Sequence, residues 1–535
     1  MSRYETDVLI VGGGPVGMAL ALDLRSRGVD CVLAEATDGS VAHSKVSTIG
    51  PRSMELFRLW GIAPRIRTAG WPDDHLLDVT WATQVGGHEV LRVSRGTAGD
   101  RPPSAHSPEH ERICPAHWLN PLLMEALGTH PDGPLWIHHR VREWTQTDDH
   151  VSVMVDDLAR GTTHTVRTRY LIACDGASSP VRKACGIDAP DRYAPQVFRN
   201  ILFRAPRLRA DLEARGHRPA MVHFLLIPPA MRYPMRALDG DGLYNLVVGG
   251  EEASGNAESA PDLLARAIAF PTPVEIVSDG KWYLTQRVAD RYRAGRVFLA
   301  GDAAHTLSPS GGFGLNTGIA DAADLGWKLD AELAGWAGPG LLDSYDIERR
   351  PIALRNLEEA NTNLTRTARR ELPAELDAET PVGRRARATL AEAMEREGAA
   401  REFDAPDVHL SFRYRSPLIA KETRDDASRW PEAAAPGRRA PHVWLGPQTS
   451  TLDLFGTGFR LLALGRADGR EKIERAFVDR GVPFSTTTLE HPEATEAYGS
   501  RLVLVRPDGH VAWRGDAPPS SPENLADLVR GAVHP

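Results

Sequence analysis

The sequence predicts an α/β protein in three parts: a doubly wound domain assembled from separated segments, a mainly antiparallel sheet inserted into it, and a small α/β domain at the C-terminus. Three observations carry this expectation. A strand, a glycine loop and a helix open the chain, and the same pattern returns near residue 296. Between them the apolar period shifts towards two, as in a half-buried sheet. Residues 442–535 then alternate short strands with helical stretches. At 535 residues the chain exceeds one compact core, so two or three domains are expected on length alone.

Taken in order, Asp7-Val8-Leu9-Ile10-Val11 is a short strand rich in β-branched residues, followed by a glycine cluster. An Ala/Leu-rich amphipathic helix runs from about Pro15 to Arg27, Gly28 closes it, and Cys31–Leu33 forms a second strand. Pro51 opens a helix over 51–60, where its missing N–H costs nothing. Segments near 75–95 and 195–250 alternate, for example Val197-Phe198-Arg199-Asn200-Ile201-Leu202-Phe203. Arg296–Ala300 reads as a strand, Gly301–His305 as a loop and Asn316–Ala334 as a helix. Residues 354–402 carry a long Ala/Glu/Arg-rich helical stretch, and the Pro/Ala/Arg-rich 430–441 reads as linker. The expected division is therefore 1–75, 110–186 and 281–402 for the first domain and 76–109 with 187–280 for the inserted sheet. Residues 403–441 form the linker and 442–535 the last domain.

Bulk properties exclude several functions. A formal net charge of −8 offers no general attraction to nucleic acid or to an anionic membrane. Cys31, Cys114, Cys174 and Cys185 are widely spaced, so no disulfide framework and no metal site is expected. The N-terminus lacks the pattern of a signal peptide, and no apolar run approaches the ~20 residues that span a bilayer. A cytoplasmic protein is expected.

The chemistry begins at Gly12-Gly13-Gly14-Pro15-Val16-Gly17, which fits Gly-x-Gly-x-x-Gly. Gly12 permits the tight turn, Gly14 admits a pyrophosphate to the backbone, and Gly17 lets helix and strand pack closely. The helix N-terminus that follows favours an anion. Glu35, beside Ala36, ends the second strand about 20 residues on, where a carboxylate accepts hydrogen bonds from a ribose diol and repels a 2′-phosphate. The competing reading is an ordinary strand–helix turn with a surface glutamate.

Two later motifs decide between dinucleotides. Tyr170-Leu171-Ile172-Ala173-Cys174-Asp175-Gly176 is a strand ending in Asp-Gly, with Arg182 in the helix after it. Gly301-Asp302 is followed by Pro309-Ser310-Gly311-Gly312-Phe313-Gly314-Leu315-Asn316, whose three glycines within six residues let the backbone lie flat against a planar ring. In these motifs the chain resembles the FAD-dependent aromatic hydroxylases, single-component flavoprotein monooxygenases. Within them it is most similar to the phenol-hydroxylase branch with a thioredoxin-like C-terminal domain, which includes dichlorophenol and aromatic polyketide hydroxylases.

The resemblance implies a Rossmann-like domain holding non-covalent FAD, with NADPH or NADH and O₂ as co-substrates. It further implies a flavin C4a-hydroperoxide that oxygenates an aromatic, phenolic or polyketide small molecule. Glu35 matches the family's adenosine-ribose ligand and Asp302 its ribityl ligand. Asp175 and Gly176 match a motif for FAD and nicotinamide. Lys45 stands where the family often has an arginine near the pyrophosphate, and Arg112 precedes Cys114-Pro115 where it has a glutamine near the flavin. Residues 442–535 match the thioredoxin-like domain but contain no cysteine, which leaves a packing or homo-oligomer role.

A phenol reacts best as phenolate, so a proton acceptor is expected near the ring. No acid occupies Val46-Ser47-Thr48, where some phenol hydroxylases carry one. His223 and Tyr233 on the predicted strands are the catalytic candidates, with Arg232, Arg236 and Tyr244 as contacts for a carboxylate or hydroxyl. His305 reads either as a flavin contact or as a hydrogen-bonded loop residue. Epoxidation and Baeyer–Villiger oxygenation remain alternatives, as does a non-catalytic nucleotide-binding scaffold.

Overall fold

The computed structural model describes residues 3–533 except 42–47, 102–103, 131–132, 228–230, 251–252, 254–257, 369–370, 422–433 and 466–467. Lys45 lies outside the described residues, as does the Arg232 side chain.

The first sheet runs Arg293–Ala294, Val297–Leu299, Thr162–Ala173, Arg3–Val11, Cys31–Ala34, Leu135–Trp136. Its centre is parallel: Val8 faces both Tyr170 and Cys31 in register. Val8, Leu9 and Ile10 are all fully buried, as expected of a strand covered by helices on both faces. Val151–Asp157 and His139–Gln146 add an antiparallel meander beside Thr162–Ala173.

Close approach of backbone to backbone explains the glycines. Gly12 has φ +104°, and a Cβ there would stand 2.4 Å from the Cys174 carbonyl oxygen. A Cβ on Gly17 would stand 2.2 Å from the Gly12 carbonyl oxygen, so the Pro15–Ser26 helix could not press onto its own loop.

The second sheet is ordered His305–Thr306, Glu275–Val288, Asp191–Arg204, Leu243–Gly249, Met231–Ala237, Val222–Ile227, Val79–Ala82, Glu89–Val93. Only the Val222–Ile227 and Val79–Ala82 pairing is parallel. His305–Thr306 comes from just after the Gly301-Asp302 motif, so the inserted sheet is hydrogen-bonded into the first domain.

Strand alternation gives this sheet two different faces. Leu225, Tyr233, Met235, Tyr244 and Leu246 pack with the helices Leu208–Ala214 and Ala260–Ala267. Val79, Trp81, Val222, Phe224 and Leu226 point the other way, towards Leu390 and Met394 of the Pro381–Arg396 helix.

At the C-terminus Phe459–Leu464 pairs parallel with Phe484–Leu489 and antiparallel with Leu502–Val505, which pairs with Val511–Gly515. With the helices Arg470–Val478, Pro492–Tyr498 and Pro522–Val529 this is βαβ followed by ββα, the connectivity of a thioredoxin-like unit. The described end of the stretch expected as linker, 434–441, packs against the last domain. Ala434, Ala435 and Ala440 are fully buried, and the Gly437 N–H donates to the Val511 carbonyl at 2.7 Å. Small residues let this segment lie against the last hairpin, a packing that composition alone reads as flexibility.

The turn of that hairpin enters the first domain. Arg506 donates to Glu348 and Asp324 on two helices of the first domain and to its neighbour Asp508, at 2.6–3.1 Å. Lys328 donates to the same Asp324 and Glu348 at 2.7 and 2.8 Å. Every side chain here is almost completely buried. Burial drives the Asp324 carboxyl well above the usual carboxylate range. Burial alone would raise Glu348 too, but Arg506 and Lys328 hold it well below that range. Arg506 and Lys328 against Asp324, Glu348 and Asp508 make a closed set in which each group has an opposite partner at hydrogen-bond distance.

Candidate functional site

The first loop is braced for an anion. The Gly13 N–H donates to Glu35 Oε2 at 2.7 Å, while the Thr37 N–H and hydroxyl hold Oε1 at 2.7 and 2.6 Å. The Pro15–Ser26 helix has no side-chain cap at its N-terminus. A Cβ on Gly14 would meet nothing within 4 Å, so open space lies beside the free N–H groups. This fits a pyrophosphate at the helix start and a ribose at Glu35, while Val16 packs against Gly301 and Gly318.

Asp302 lies in the turn Gly301–Ala303; its exposed carboxylate makes no hydrogen bond to a described residue. What fixes the turn is Asp321, fully buried on the Phe313–Leu333 helix. Its Oδ2 accepts from the Gly301 N–H at 3.1 Å and from His305 Nε2 at 2.7 Å. Its Oδ1 accepts from Arg349 Nε at 2.8 Å, and Arg349 also reaches the Thr317 carbonyl and the Tyr414 hydroxyl. Burial would raise Asp321, but His305 and Arg349 hold it below the usual range. His305 is thus a hydrogen-bonded loop residue, the second of its two expected roles.

Asp175 accepts from the Val181 N–H at 3.1 Å, and burial raises its carboxyl. Buried Arg182 donates to the Ala303 and Ala177 carbonyls at 3.1 and 3.4 Å, so it joins the Asp175-Gly176 and Gly301-Asp302 loops. Its part is to tie the two motifs together rather than to reach into open space.

The glycine loop Pro309–Gly314 turns through Gly311 and Gly312, at φ +92° and +68°. Asn316 clamps it: Nδ2 donates to the carbonyls of Gly312 and Thr48, and Oδ1 accepts from the Gly50 N–H, at 2.7–2.9 Å. Thr48–Ile49 pairs with Arg112–Ile113, which brings Arg112 beside Ile49. The Phe313–Leu333 helix also lacks a side-chain cap, and a Cβ on Gly314 would enter open space. Leu315 packs against the first core. Two uncapped helix starts, an unpaired Asp302 and open space at both glycine loops form a donor set that fits FAD.

Beside this loop, on the Trp81 face of the second sheet, lies a row with two polar residues. Val222, Arg236 and Asn245 are partners in register on three adjacent strands. Trp81 stacks on Phe224 at 5.2 Å and 11°, and Phe403 meets both edge-on. Half-buried Arg236 makes no hydrogen bond to a described residue; the opposite charge near it is Glu402. The Glu402 carboxyl, raised by burial, accepts from the Ser310 hydroxyl and the Gly311 N–H of the glycine loop. Asn245 donates to Asn200 at 3.0 Å and leaves its own buried Oδ1 without a partner.

The catalytic candidates are on the other face. Tyr233 donates to the Gly249 carbonyl at 2.9 Å within the helix-covered core. His223, between Thr80 and Met235 in register, is buried on that same side, and burial pushes its imidazole down to about 3. Tyr244 stacks on Phe203 there, its hydroxyl raised to about 12 by burial. The structure does not bring His223 and Tyr233 to the glycine loop. A one-residue difference in strand parity separates them from Val222 and Arg236. Of the expected contacts Arg236 lies on the face of Val222 and Trp81, near Glu402, which comes from a segment far along the chain and gave no signal in the sequence.

Comparison with known proteins agrees with this geometry. Residues 5–360 match the family described as FAD binding domain, and residues 433–533 match the aromatic-ring hydroxylase, C-terminal family. Tetracenomycin B2 monooxygenase-dioxygenase of Streptomyces olivaceus is 32% identical, over 100% of this chain and 99% of that protein. Among solved structures, the chromopyrrolic acid-soaked enzyme RebC with bound 7-carboxy-K252c is 57% identical, with TM-score 0.95 over 99% of this chain and 100% of that one. A ternary complex of aklavinone-11 hydroxylase with FAD and aklavinone is 27% identical, with TM-score 0.81 over 99% and 100% of the two chains.

Proposed function

The chain belongs to the FAD-dependent aromatic-ring hydroxylases, and from that premise we propose that its substrate is a flat, polycyclic aromatic carboxylic acid held beside the glycine loop by Arg236. The enzyme is an FAD-dependent monooxygenase that uses a reduced nicotinamide and O₂. The bound flavin supplies oxygen activation. Glu35 would hold its adenosine ribose, the Gly14–Pro15 helix start its pyrophosphate, Asp302 its ribityl chain and the Pro309–Gly314 loop its ring.

The observation that carries the substrate class is a half-buried guanidinium with no direct partner, next to a glutamate bonded to the glycine loop. Such a cation is stabilised by an anionic ligand, and its planar fork suits a carboxylate. Trp81, Phe224 and Phe403 offer flat apolar walls for fused rings, and Asn245 Oδ1 offers an acceptor for a ring N–H or O–H. The related RebC structure, soaked with chromopyrrolic acid, holds a ligand named for its carboxyl group, 7-carboxy-K252c. The walls also exclude water, which would otherwise waste the activated oxygen.

The test is nicotinamide oxidation and product formation with a panel of polycyclic aromatic acids, their neutral amides, and simple phenols. The acids are expected to stimulate oxidation and yield oxygenated product. Stimulation by simple phenols alone would overturn the substrate class. No stimulation in a yellow, nicotinamide-oxidising protein would overturn the Arg236 assignment while leaving the family intact.

A further inference from the structure

Three side chains that the sequence keeps apart meet on the meander of the first sheet. His139 and Asp157 are direct partners on adjacent strands, and His164 lies on the next strand, two residues beyond the partner of Asp157. His139 Nε2 is 3.9 Å and His164 Nε2 4.0 Å from Asp157 Oδ2, and the three donor atoms lie within 4.8 Å of one another. Those distances are too long for hydrogen bonds. Two imidazole nitrogens therefore converge on one carboxylate oxygen and bond to it in neither case.

Two of the three donors are held by hydrogen bonds of their own. His139 Nδ1 donates to the Ile137 carbonyl at 2.7 Å, which leaves the Nε2 lone pair facing Asp157. Asp157 Oδ1 accepts from the Ala159 and Arg160 N–H groups, both at 3.0 Å, and leaves Oδ2 turned to the rings. Trp136 and Tyr4 wall the cluster, with ring centroids 5.1 Å from His139 and 5.3 Å from His164. The His164 side chain is 13% exposed against 1% for Asp157, so access is from the His164 side.

We propose that His139, Asp157 and His164 form a site for one divalent cation of the zinc class, Zn²⁺, Co²⁺ or Ni²⁺, completed by solvent. Three atoms at these separations lie about 2.3–2.5 Å from a common centre, against metal bonds of about 2.0–2.2 Å, so each donor need move only a few tenths of an ångström. Two imidazoles with one carboxylate suit these metals better than calcium or magnesium, which take oxygen ligands. One group competes: Arg160 reaches Asp157 Oδ2 at 3.3 Å, but its side chain is 72% exposed and swings freely into water. The His139 N–H donates to the Glu35 carbonyl at 2.7 Å, and the Glu35 N–H to the Trp136 carbonyl at 2.9 Å. A bound cation would therefore fasten the turn that lies against Glu35.

The experiment is calorimetric titration of chelator-stripped holoenzyme, purified without a histidine tag, with ZnCl₂ and then CoCl₂. The wild type is expected to take up one equivalent, gain visible Co²⁺ bands and rise in Tm. His164→Asn, the substitution at the more exposed histidine, and His139→Ala each weaken binding at least tenfold, judged in preparations that keep the wild-type flavin spectrum. Arg160→Ala tightens it several-fold by removing the competitor, and that variant needs no change in the core. No saturable uptake by the wild type, or equal affinity in His164→Asn and Arg160→Ala, would overturn the site.

Discussion

Two polar centres of this molecule differ in one respect. Around Asp321, Asp324, Glu348, Arg349 and Arg506 each charge meets an opposite charge at 2.6–3.1 Å. Around Arg236 and Asn245 a guanidinium and a carbonyl oxygen are left without partners. A closed network is structure, because its components satisfy each other. An open one has paid the desolvation cost already and is completed by a ligand.

The largest effect is expected at the closed centre. Arg506→Met leaves Asp508 without its buried cation and Glu348 with Lys328 alone, which costs about 3–5 kcal/mol. Calorimetry should show a lowered Tm, and flavin absorbance earlier release of FAD, because Asp321 and Asp324 lie on the same helix. Asp321→Asn should cost FAD retention directly, since it frees the Gly301 turn and leaves Arg349 short of a partner. Asp321 is depressed in the fold, so its contribution is complete above the ordinary carboxylate pKa of about 4 and is lost as pH falls through the lower folded value. FAD release on acidification should follow that sense in the wild type and be blunted in Asp321→Asn.

The open centre should behave in the opposite way. Arg236→Met is expected to leave Tm almost unchanged, because no intramolecular partner is lost. It should raise the KM for a polycyclic acid at least tenfold, about 1.4 kcal/mol or more, through a lost charge-assisted hydrogen bond. A Tm fall as large as that of Arg506→Met would erase the distinction between the two centres.

The smallest effect on activity is expected at His223. Its folded value of about 3 lies below the unfolded value of about 6.5, so protons bind the unfolded chain in preference between the two. Stability from this group is complete above about 6.5 and falls as pH drops towards 3, by about 1.4 kcal/mol per unit. His223→Phe should flatten the pH dependence of urea unfolding in that window and leave kcat unchanged. A large fall in kcat would restore His223 as a catalytic residue.

The same contrast explains what the sequence revealed. Gly12, Gly17, Gly311 and Gly312 are legible because a positive φ or a backbone contact admits nothing larger, and that requirement is local. Asp302 and Glu35 follow from their fixed distance to those loops. The face turned to the glycine loop was not legible, because residues of both faces are aromatic or apolar and parity decides which one looks at the loop. His223 and Val222 differ by one position and by the whole thickness of the sheet. Glu402 reaches the loop from a segment whose composition reads only as helix, and the burial of Arg506 follows from packing between domains that neither domain's pattern records.

The most direct test of the account is a binding titration of a polycyclic aromatic acid and its neutral amide, read by perturbation of the flavin spectrum. The account predicts that the wild type prefers the acid at least tenfold and that Arg236→Met binds both alike. Equal binding of acid and amide by the wild type, or an unchanged preference in Arg236→Met, would contradict it.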